Sequence, residues 1–558
     1  MRLKLFSGRV LRPSWLQASR QRLSLVNALA QSAAYALLAS AWVAMALYFL
    51  VFLVYARALF NFPFDYDQGE GFELYDAIRL ARGENIYLDN AQFPFYSSNY
   101  PPVYRTILAL LVLVFGPHIA VGRALTFAAS LIAGALIVLA VWRLWAPSAP
   151  RALRWGAALL AALSFFAANY VYHISALARA HIPMVMFSLA GAYALDRAFA
   201  TLHAPSARWA ALGVALLMTA GFTKLQAVDA LVAGFGLLLL RRPRWFAWAF
   251  GACLVFTLGF VLAMNAITAG QFWVNVVAAN VNEYDLALTW QTYAQWLRLQ
   301  APLILGGVAY TLWDGWRVWR ARSTQPLSVW SLYFITSSAM GMLTGKWGAG
   351  PAYLVSSIAV GAVCTAGVFA RLFALLQRRH EARAHALIAA MLGVVFLVQA
   401  ALNVHLPTTG RFFGTLARWL GVAEQHVYPP YAYYDSAGYT QLGHLPLPAD
   451  VNNGWALVQR LREVEGPVWS EEAMFTLLAG KDVVTNPTQL LNLSKNGMLD
   501  TRQMIAMIEQ RAFGAVVFRA LFYPDDVKAA ILRNYYWAQK FDINGFEYWL
   551  LLPIPSES

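Results

Sequence analysis

Residues Leu59–Arg105 read LFNFPFDYDQGEGFELYDAIRLARGENIYLDNAQFPFYSSNYPPVYR. The stretch begins where a long apolar run ends, and it carries Asp65, Asp67, Glu70, Glu73, Asp76, Glu84 and Asp89 against only Arg79, Arg82 and Arg105. A quarter of the chain's 28 acidic residues therefore sit in one segment. Carboxylates beside a hydrocarbon phase are costly to desolvate and mark a polar cavity or a reactive site. A solvated loop, whose acids merely keep it out of the membrane, is the simpler alternative. The D-x-D spacing of Asp65 and Asp67 at the end of a membrane helix favours a catalytic loop, since side chains at i and i+2 of an extended segment point the same way.

Composition sets the class. Of 558 residues, 59% are hydrophobic, 15% aromatic and 13% charged, and mean hydropathy is positive. Such a chain is a polytopic α-helical membrane protein. The net charge of +14 is spread over many short loops, which fits a positive-inside bias and argues against nucleic acid as a partner. The only cysteines, Cys253 and Cys364, lie in apolar segments. No disulfide framework or CxxC zinc signature is encoded.

Charge also orients the helices. Residues 1–32 contain Arg2, Lys4, Arg9, Arg12, Arg20 and Arg22 and no acid, so a cytoplasmic, membrane-skimming N-terminus is expected. The apolar run at about 33–55 is long enough to span, since about 20 residues cross a bilayer. The acidic loop, 59–119, then lies outside. Val103–Phe115 is apolar but short, and a segment of about 10–14 residues is more often interfacial than spanning. If it stays on the surface, further spans follow at roughly 120–142, 156–172, 181–199, 209–222, 225–240, 245–265, 301–316, 327–343, 351–370 and 386–404. The inside loops then hold Arg143, Arg151 and Arg154; Arg197 and Arg208; Arg241, Arg242 and Arg244; Arg317, Arg320 and Arg322; and Arg371, Arg378, Arg379 and Arg383. The opposite assignment puts all of these outside, against the rule. About eleven spanning helices are predicted, within a transmembrane domain at 33–404.

The outer loops gain meaning in that frame. The loop 266–300, with Glu283, Asp285, Trp290, Tyr293 and Trp296, predicts a second surface helix beside the site. Arg179, His181, Lys224 and Lys346 all fall at outer helix ends. Singly, each is more often a snorkelling or structural residue; together they make a basic ring facing the acidic loop. Beyond His405 the pattern changes. A Pro-, Tyr- and Gly-rich stretch with YPPYAYYD at Tyr428–Asp435 leads into alternating short strands and helices. Strands are expected at PVWSEE, DVVTNP, GAVVFR and Glu547–Leu552, with helices near 472–480, Thr501–Arg511 and Asp525–Asn534. The region 405–558 thus predicts an extracytoplasmic α/β domain. It has no GxGxxG, P-loop or GxSxG signature, so its expected role is to cover the site or contact the acceptor.

These features together resemble the GT-C superfamily of polyprenyl-phosphate-sugar-dependent glycosyltransferases, which includes protein O-mannosyltransferases and the aminoarabinose transferases of lipid A. The resemblance rests on DYDQGEGFELYDAIRLARGENIY, NYPPVY followed by LVFG and GRAL, ARAHIP at Ala178–Pro183, TKLQAV at Thr223–Val228 and GKWGAGPAYL at Gly345–Leu354. It covers roughly residues 30–405. Three positions depart from the family's pattern. Gln68 follows Asp67 where an Asp-Glu pair is common, Tyr100 precedes the Pro-Pro where a lysine is frequent, and His181 stands where relatives often show Asp.

The resemblance implies transfer of a sugar from a polyprenyl-phosphate donor to a hydroxyl of a glycan, lipid or protein acceptor. Single displacement with inversion is implied, on the outer face of a bacterial inner (plasma) membrane. Independently of any family, a donor outside the cytoplasm must be carried by a lipid. Its transfer needs a base for the acceptor proton and cations for the departing phosphate. Asp67 is the expected base, with Asp65 and Glu70 as supporting acids. Arg105, Arg179, Lys224 and Lys346 are the candidate phosphate cations, and Tyr100, His181 and Tyr353 are expected to line the site. Asp65, Asp67 and Glu70 would be the ligands if Mg²⁺ or Mn²⁺ takes part, because hard oxygen ligands suit those ions. A transporter or flippase of a lipid-linked sugar is the competing reading. Transporters, however, usually place their charges at the bilayer midplane among broken helices and internal repeats.

Overall fold

The computed structural model describes residues 14–201, 204–320, 327–377, 381–403 and 445–555, with Thr415, Arg418 and Trp419. Arg2, Lys4, Arg9, Arg12, Arg322, Arg378, Arg379 and the Tyr428–Asp435 stretch lie outside these residues. The first helix, α1 (Ser14–Phe60), begins well before the expected span. No Gly or Pro interrupts Ser14–Phe60, so nothing in the sequence breaks the helix between the basic segment and the apolar one. The acidic loop supplies α2 (Glu70–Ala81) and α3 (Val103–Phe115). Helix α3 buries Tyr104, Arg105 and Leu108 on one face while Leu110, Leu113 and Phe115 remain exposed, as a helix lying at an interface requires.

The bundle continues with α4 (Ile119–Leu144), α5 (Arg151–Ala167), α6 (Asn169–Ile174), α7 (His181–Ala198), α8 (Ala207–Thr223), α9 (Val228–Arg241) and α10 (Pro243–Ile267). After it come the short α11 (Gln271–Val276), α12 (Leu286–Leu299), α13 (Ala301–Arg320), α14 (Val329–Met340), α15 (Val355–Leu376) and α16 (Glu381–Leu402). Helix α12 is the expected surface helix, capped by Asp285, whose carboxylate accepts from Ala287 N at 2.7 Å. Pro243 opens α10 at a position where its missing N–H costs nothing. Each expected span overlaps a helix, although the one at 156–172 is broken at Ala168 between α5 and α6. Among the described residues five helices are long and apolar enough to cross a membrane, namely Leu25–Phe60, Ile119–Leu144, Pro243–Ile267, Pro351–Leu376 and Ala384–Leu402.

Small side chains let the inner helices approach one another. Ala157, Ala158 and Ala161 of α5 are fully buried, and α15 is buried along most of its length. The bundle end opposite the acidic loop is tied by arginines. Arg143 donates to Asp196 at 3.1 Å, and Arg371 donates to Asp314 at 3.2 Å. Asp314 also accepts from Ser328 N at 2.6 Å.

The C-terminal α/β unit is built on a sheet of β1 (Val468–Ser470), β2 (Ala515–Phe518), β3 (Tyr535–Ile543) and β4 (Phe546–Pro553). Their order is β1-β2-β4-β3, with β1 and β2 parallel and the other pairs antiparallel. Asn544 and Gly545, both at positive φ, form the two-residue turn joining β3 to β4. Two expectations fail here. DVVTNP is not a strand and makes only an isolated bridge from Thr485 to Phe95. Strand β3 matches no expected element, because most of YYWAQKF is exposed and lacks an inward alternation.

This unit sits on the acidic loop. Phe64 stacks on Phe475 with ring centroids 5.1 Å apart. Asn486 donates to the Ser97 carbonyl at 3.1 Å, and Gln489 to Asn275 Oδ1 at 2.8 Å.

Candidate active site

Leu59 ends the apolar run of α1, and Phe62 and Phe64 bury their rings while the backbone turns beneath the C-terminal unit. One side chain from the bundle holds that turn. Arg123, near the start of α4, is fully buried and donates to the carbonyls of Leu59, Phe62 and Phe64 as well as to both oxygens of Glu70. Glu70 also accepts from the backbone N–H groups of Tyr66 at 2.9 Å, Asp67 at 3.2 Å and Ala178 at 2.7 Å. Burial alone would raise the Glu70 carboxyl, but the Arg123 charge and these donors bring it below its usual range.

Asp65 is equally engaged. Its Oδ1 accepts from Gly71 N at 2.5 Å and its Oδ2 from Met474 N at 2.9 Å, so this carboxylate fastens the C-terminal unit to the loop. A side chain at Gly71 would press on Asp65, Ala473 and the Met474 backbone, which leaves glycine as the residue that fits. Burial pushes the Asp65 carboxyl up to about 6 against the pull of the Met474 N–H.

Asp67 differs from both neighbours. Its Oδ2 accepts from Arg179 Nε at 2.8 Å, and its Oδ1 is buried with no hydrogen-bond partner among the described residues. Burial raises its carboxyl to about 6, and the adjacent Arg179 only partly offsets that. Arg179 also donates to the Gln68 carbonyl at 2.5 Å. It lies against Gly69, whose φ of 100° and lack of Cβ admit the guanidinium. The D-x-D pair is thus divided in use: Asp65 binds protein backbone and Asp67 keeps one oxygen bare.

The expected cations also separate. Arg105 is buried between Glu73, at 2.7 Å, and Asp76, at 2.5 Å. Two carboxylates claim its charge, so it is a brace between α2 and α3 and does not stand open to a phosphate. Lys224, at the end of α8, contacts His181 Nε2 at 2.5 Å. The Nδ1 of the same ring is buried and has no partner among the described residues. The Lys224 ammonium lies 4.7 Å from the centre of the Tyr100 ring, and the Arg105 guanidinium 5.1 Å from it. Tyr100 therefore stands between the brace and the free-ended lysine. Lys346 donates to the Asn280 carbonyl at 2.8 Å and lies within electrostatic reach of Lys224. Tyr353 is similarly within reach of Tyr100.

The three carboxylates of the possible metal set are engaged to different degrees. Each Asp65 oxygen accepts one N–H and each Glu70 oxygen at least two, while Asp67 Oδ1 has no hydrogen-bond partner among the described residues. Among the described residues no group of three His, Cys, Asp or Glu is placed to hold a metal ion.

Several site residues escaped the sequence reading. Arg123 lies in the GRAL segment, and a lone arginine just inside an apolar run is the signal that could have exposed it. Glu472 and Arg519 come from the C-terminal unit and pair with each other beside the loop. Burial lifts Glu472 to about 8, Arg519 opposing and Asp65 adding to the rise. Arg519 acts electrostatically on Asp67 across the domain boundary.

No protein-family model and no curated protein matches the sequence. In fold the chain is similar to ArnT from Cupriavidus metallidurans bound to undecaprenyl phosphate, with a TM-score of 0.51, 14% identity, and 92% of this chain and 99% of that chain covered. The apo form of the same ArnT aligns with a TM-score of 0.47 at 15% identity, over 93% of this chain and all of that one (100%). The archaeal oligosaccharyltransferase AglB from Archaeoglobus fulgidus, in complex with an inhibitory peptide and a dolichol-phosphate, aligns with a TM-score of 0.44 at 13% identity, over 91% and 76%. The likeness to these solved structures is one of fold.

Proposed function

We propose that this chain is a membrane glycosyltransferase that moves a sugar from a polyprenyl-phosphate donor to an acceptor hydroxyl on the extracytoplasmic side. The observation that carries the reading is Asp67. It is a buried carboxylate with one oxygen fixed by Arg179 and the other bare, at the edge of a cluster of cations. Near neutral pH a carboxyl titrating at about 6 is mostly ionised yet basic enough to accept a proton. In the proposed step the acceptor oxygen bonds to the anomeric carbon from the face opposite the phosphate. Its proton passes to Asp67 Oδ1, and the bond from the anomeric carbon to the phosphate oxygen breaks with its electron pair on that oxygen. Lys224 and Arg179 stabilise the phosphate charge that develops. Lys346 contributes at longer range, and His181 holds the Lys224 ammonium in place. The products are an inverted glycoside and a polyprenyl phosphate. No step requires a metal, in keeping with the donors that occupy Asp65 and Glu70.

The topology proposed with this reading has eleven crossings in a bacterial inner membrane, the N-terminus cytoplasmic and both the acidic loop and the C-terminal unit outside. It is supported by the collection of arginines at the opposite end of the bundle. The decisive experiment supplies purified protein in liposomes with a panel of polyprenyl-phosphate sugars and measures released polyprenyl phosphate. Release that disappears in Asp67→Asn supports the reading. Movement of intact donor between leaflets, with no release, would replace it by the transporter reading.

A further inference from the structure

At the bundle end away from the acidic loop, α8, α9 and α10 stand apart around a cavity of about 470 Å³. Ala211, Val214, Leu238, Trp248, Ala252 and Phe256 are among its lining residues. The volume falls within the roughly 300–1,000 Å³ common for ligand sites. Helix α10 has the length and composition of a membrane span, yet none of its residues is buried. A hydrophobic helix that packs so little against its own protein must be covered by lipid.

The charge around this cavity is one-sided. Arg208 follows the first lining residue of α8, Arg241 closes α9, and Arg242 and Arg244 flank the start of α10. Arg197 and Arg241 lie over the Trp209 and Phe199 rings at 5.3 and 5.5 Å, which holds their guanidiniums at the cavity's end of the bundle. Arg241 Nε is buried without a hydrogen-bond partner among the described residues. The nearby acids are already engaged, Asp196 by Arg143 at 3.1 Å and Asp314 by Arg317 at 2.9 Å and Arg371 at 3.2 Å.

An apolar slot open to the hydrocarbon, ringed at the headgroup level by more arginines than Asp196 and Asp314 can neutralise among the described residues, has the chemistry of a lipid with a negative headgroup. We propose that this site binds an anionic diacyl phospholipid of the leaflet opposite the active site. One acyl chain fills the cavity between α8 and α10, and the phosphate sits among Arg208, Arg241, Arg242 and Arg244. The lipid would brace α10, the least embedded span. The site is remote from Asp67 and takes no part in the transfer step.

Native mass spectrometry tests this on the full-length protein in detergent, offered phosphatidylglycerol and phosphatidylcholine of matched chains. Preferential retention of phosphatidylglycerol is expected. Arg242→Gln with Arg244→Gln should weaken it by about fivefold per arginine, the equivalent of ~1 kcal/mol each. Ala211→Phe with Ala252→Phe, which fills the slot and leaves every arginine, should weaken it at least as much. Equal retention of the two lipids, or unchanged retention in both variants, would overturn the proposal. Displacement of phosphatidylglycerol by glycerol phosphate alone would also overturn it, since the chain would then contribute nothing. Binding is read without turnover, so failure of the transfer reading leaves this result independent.

Discussion

Arg123 and Glu70 meet fork to fork: Nε reaches Oε1 at 2.9 Å and Nη2 reaches Oε2 at 2.8 Å, with both side chains wholly buried. The pair joins α4 to the first turn of α2, and its remaining donors and acceptors set the path of the loop from Leu59 to Asp67. Removing one partner leaves a buried charge alone, which costs on the order of 3–5 kcal/mol. Glu70→Gln is therefore expected to lower thermal stability sharply along with activity. Lost turnover at unchanged stability would instead make Glu70 a direct participant.

Asp67→Asn keeps the size of the side chain and its bond from Arg179 but removes the proton acceptor. Turnover should fall by about 10²–10⁴, the usual contribution of a general base. Donor-lipid affinity should stay within a few-fold. Near-normal turnover in the folded variant would remove Asp67 from the role.

Arg105 and Lys224 should separate in their effects. Arg105→Gln strands Glu73 and Asp76 and is expected to act through stability, by about 3–5 kcal/mol. Lys224→Gln should leave the fold intact and weaken the donor, since among the described residues its amino group makes no ion pair and contacts His181 and the Tyr100 ring. Isothermal titration with a polyprenyl phosphate distinguishes them. Weaker binding in a stable Arg105→Gln protein would return that arginine to the phosphate.

The interface carboxyls give a pH dependence of definite sign. Burial raises Asp65 to about 6 and Glu472 to about 8. Between the unfolded carboxyl range of about 4 and those values the folded state binds more protons than the unfolded state. Their stabilising contribution is thus full at low pH and declines as pH rises through 6 and then 8. Glu472→Gln, which cannot ionise, leaves Arg519 without its carboxylate and starts at a cost, but its stability relative to the wild type should rise from pH 5 to about 8 and then level off, as thermal melts would reveal. A constant difference across that range would contradict the shift.

The helices of the bundle, α3 and α12 among them, and the acidic loop were legible because hydrophobic length and periodicity are local properties of sequence. Which acid does what was not legible. D-x-D spacing placed Asp65 and Asp67 together, but a backbone N–H at Met474 claims one and Arg179 claims the other. The pairing of Arg105 with Glu73 and Asp76 is not legible either, because those acids lie on another helix and come close only through the packing of α2 on α3. Strand β3 was invisible for a related reason. It is an edge strand whose exposed Trp537 and Lys540 carry no inward pattern, and pairing with β4 defines it.

The bond between Asp65 and Met474 joins residues 409 positions apart. During synthesis at about 5–20 residues per second the loop would leave the ribosome tens of seconds before its partner. Until Met474 arrives, Asp65 lacks one of its two N–H donors, and Phe64 lacks the Phe475 ring that covers it. The acidic loop is therefore expected to mature last, although it is encoded first. A protease that cuts near Phe64 in chains ending before residue 445, but spares the full chain, would display this order; equal resistance in both would refute it.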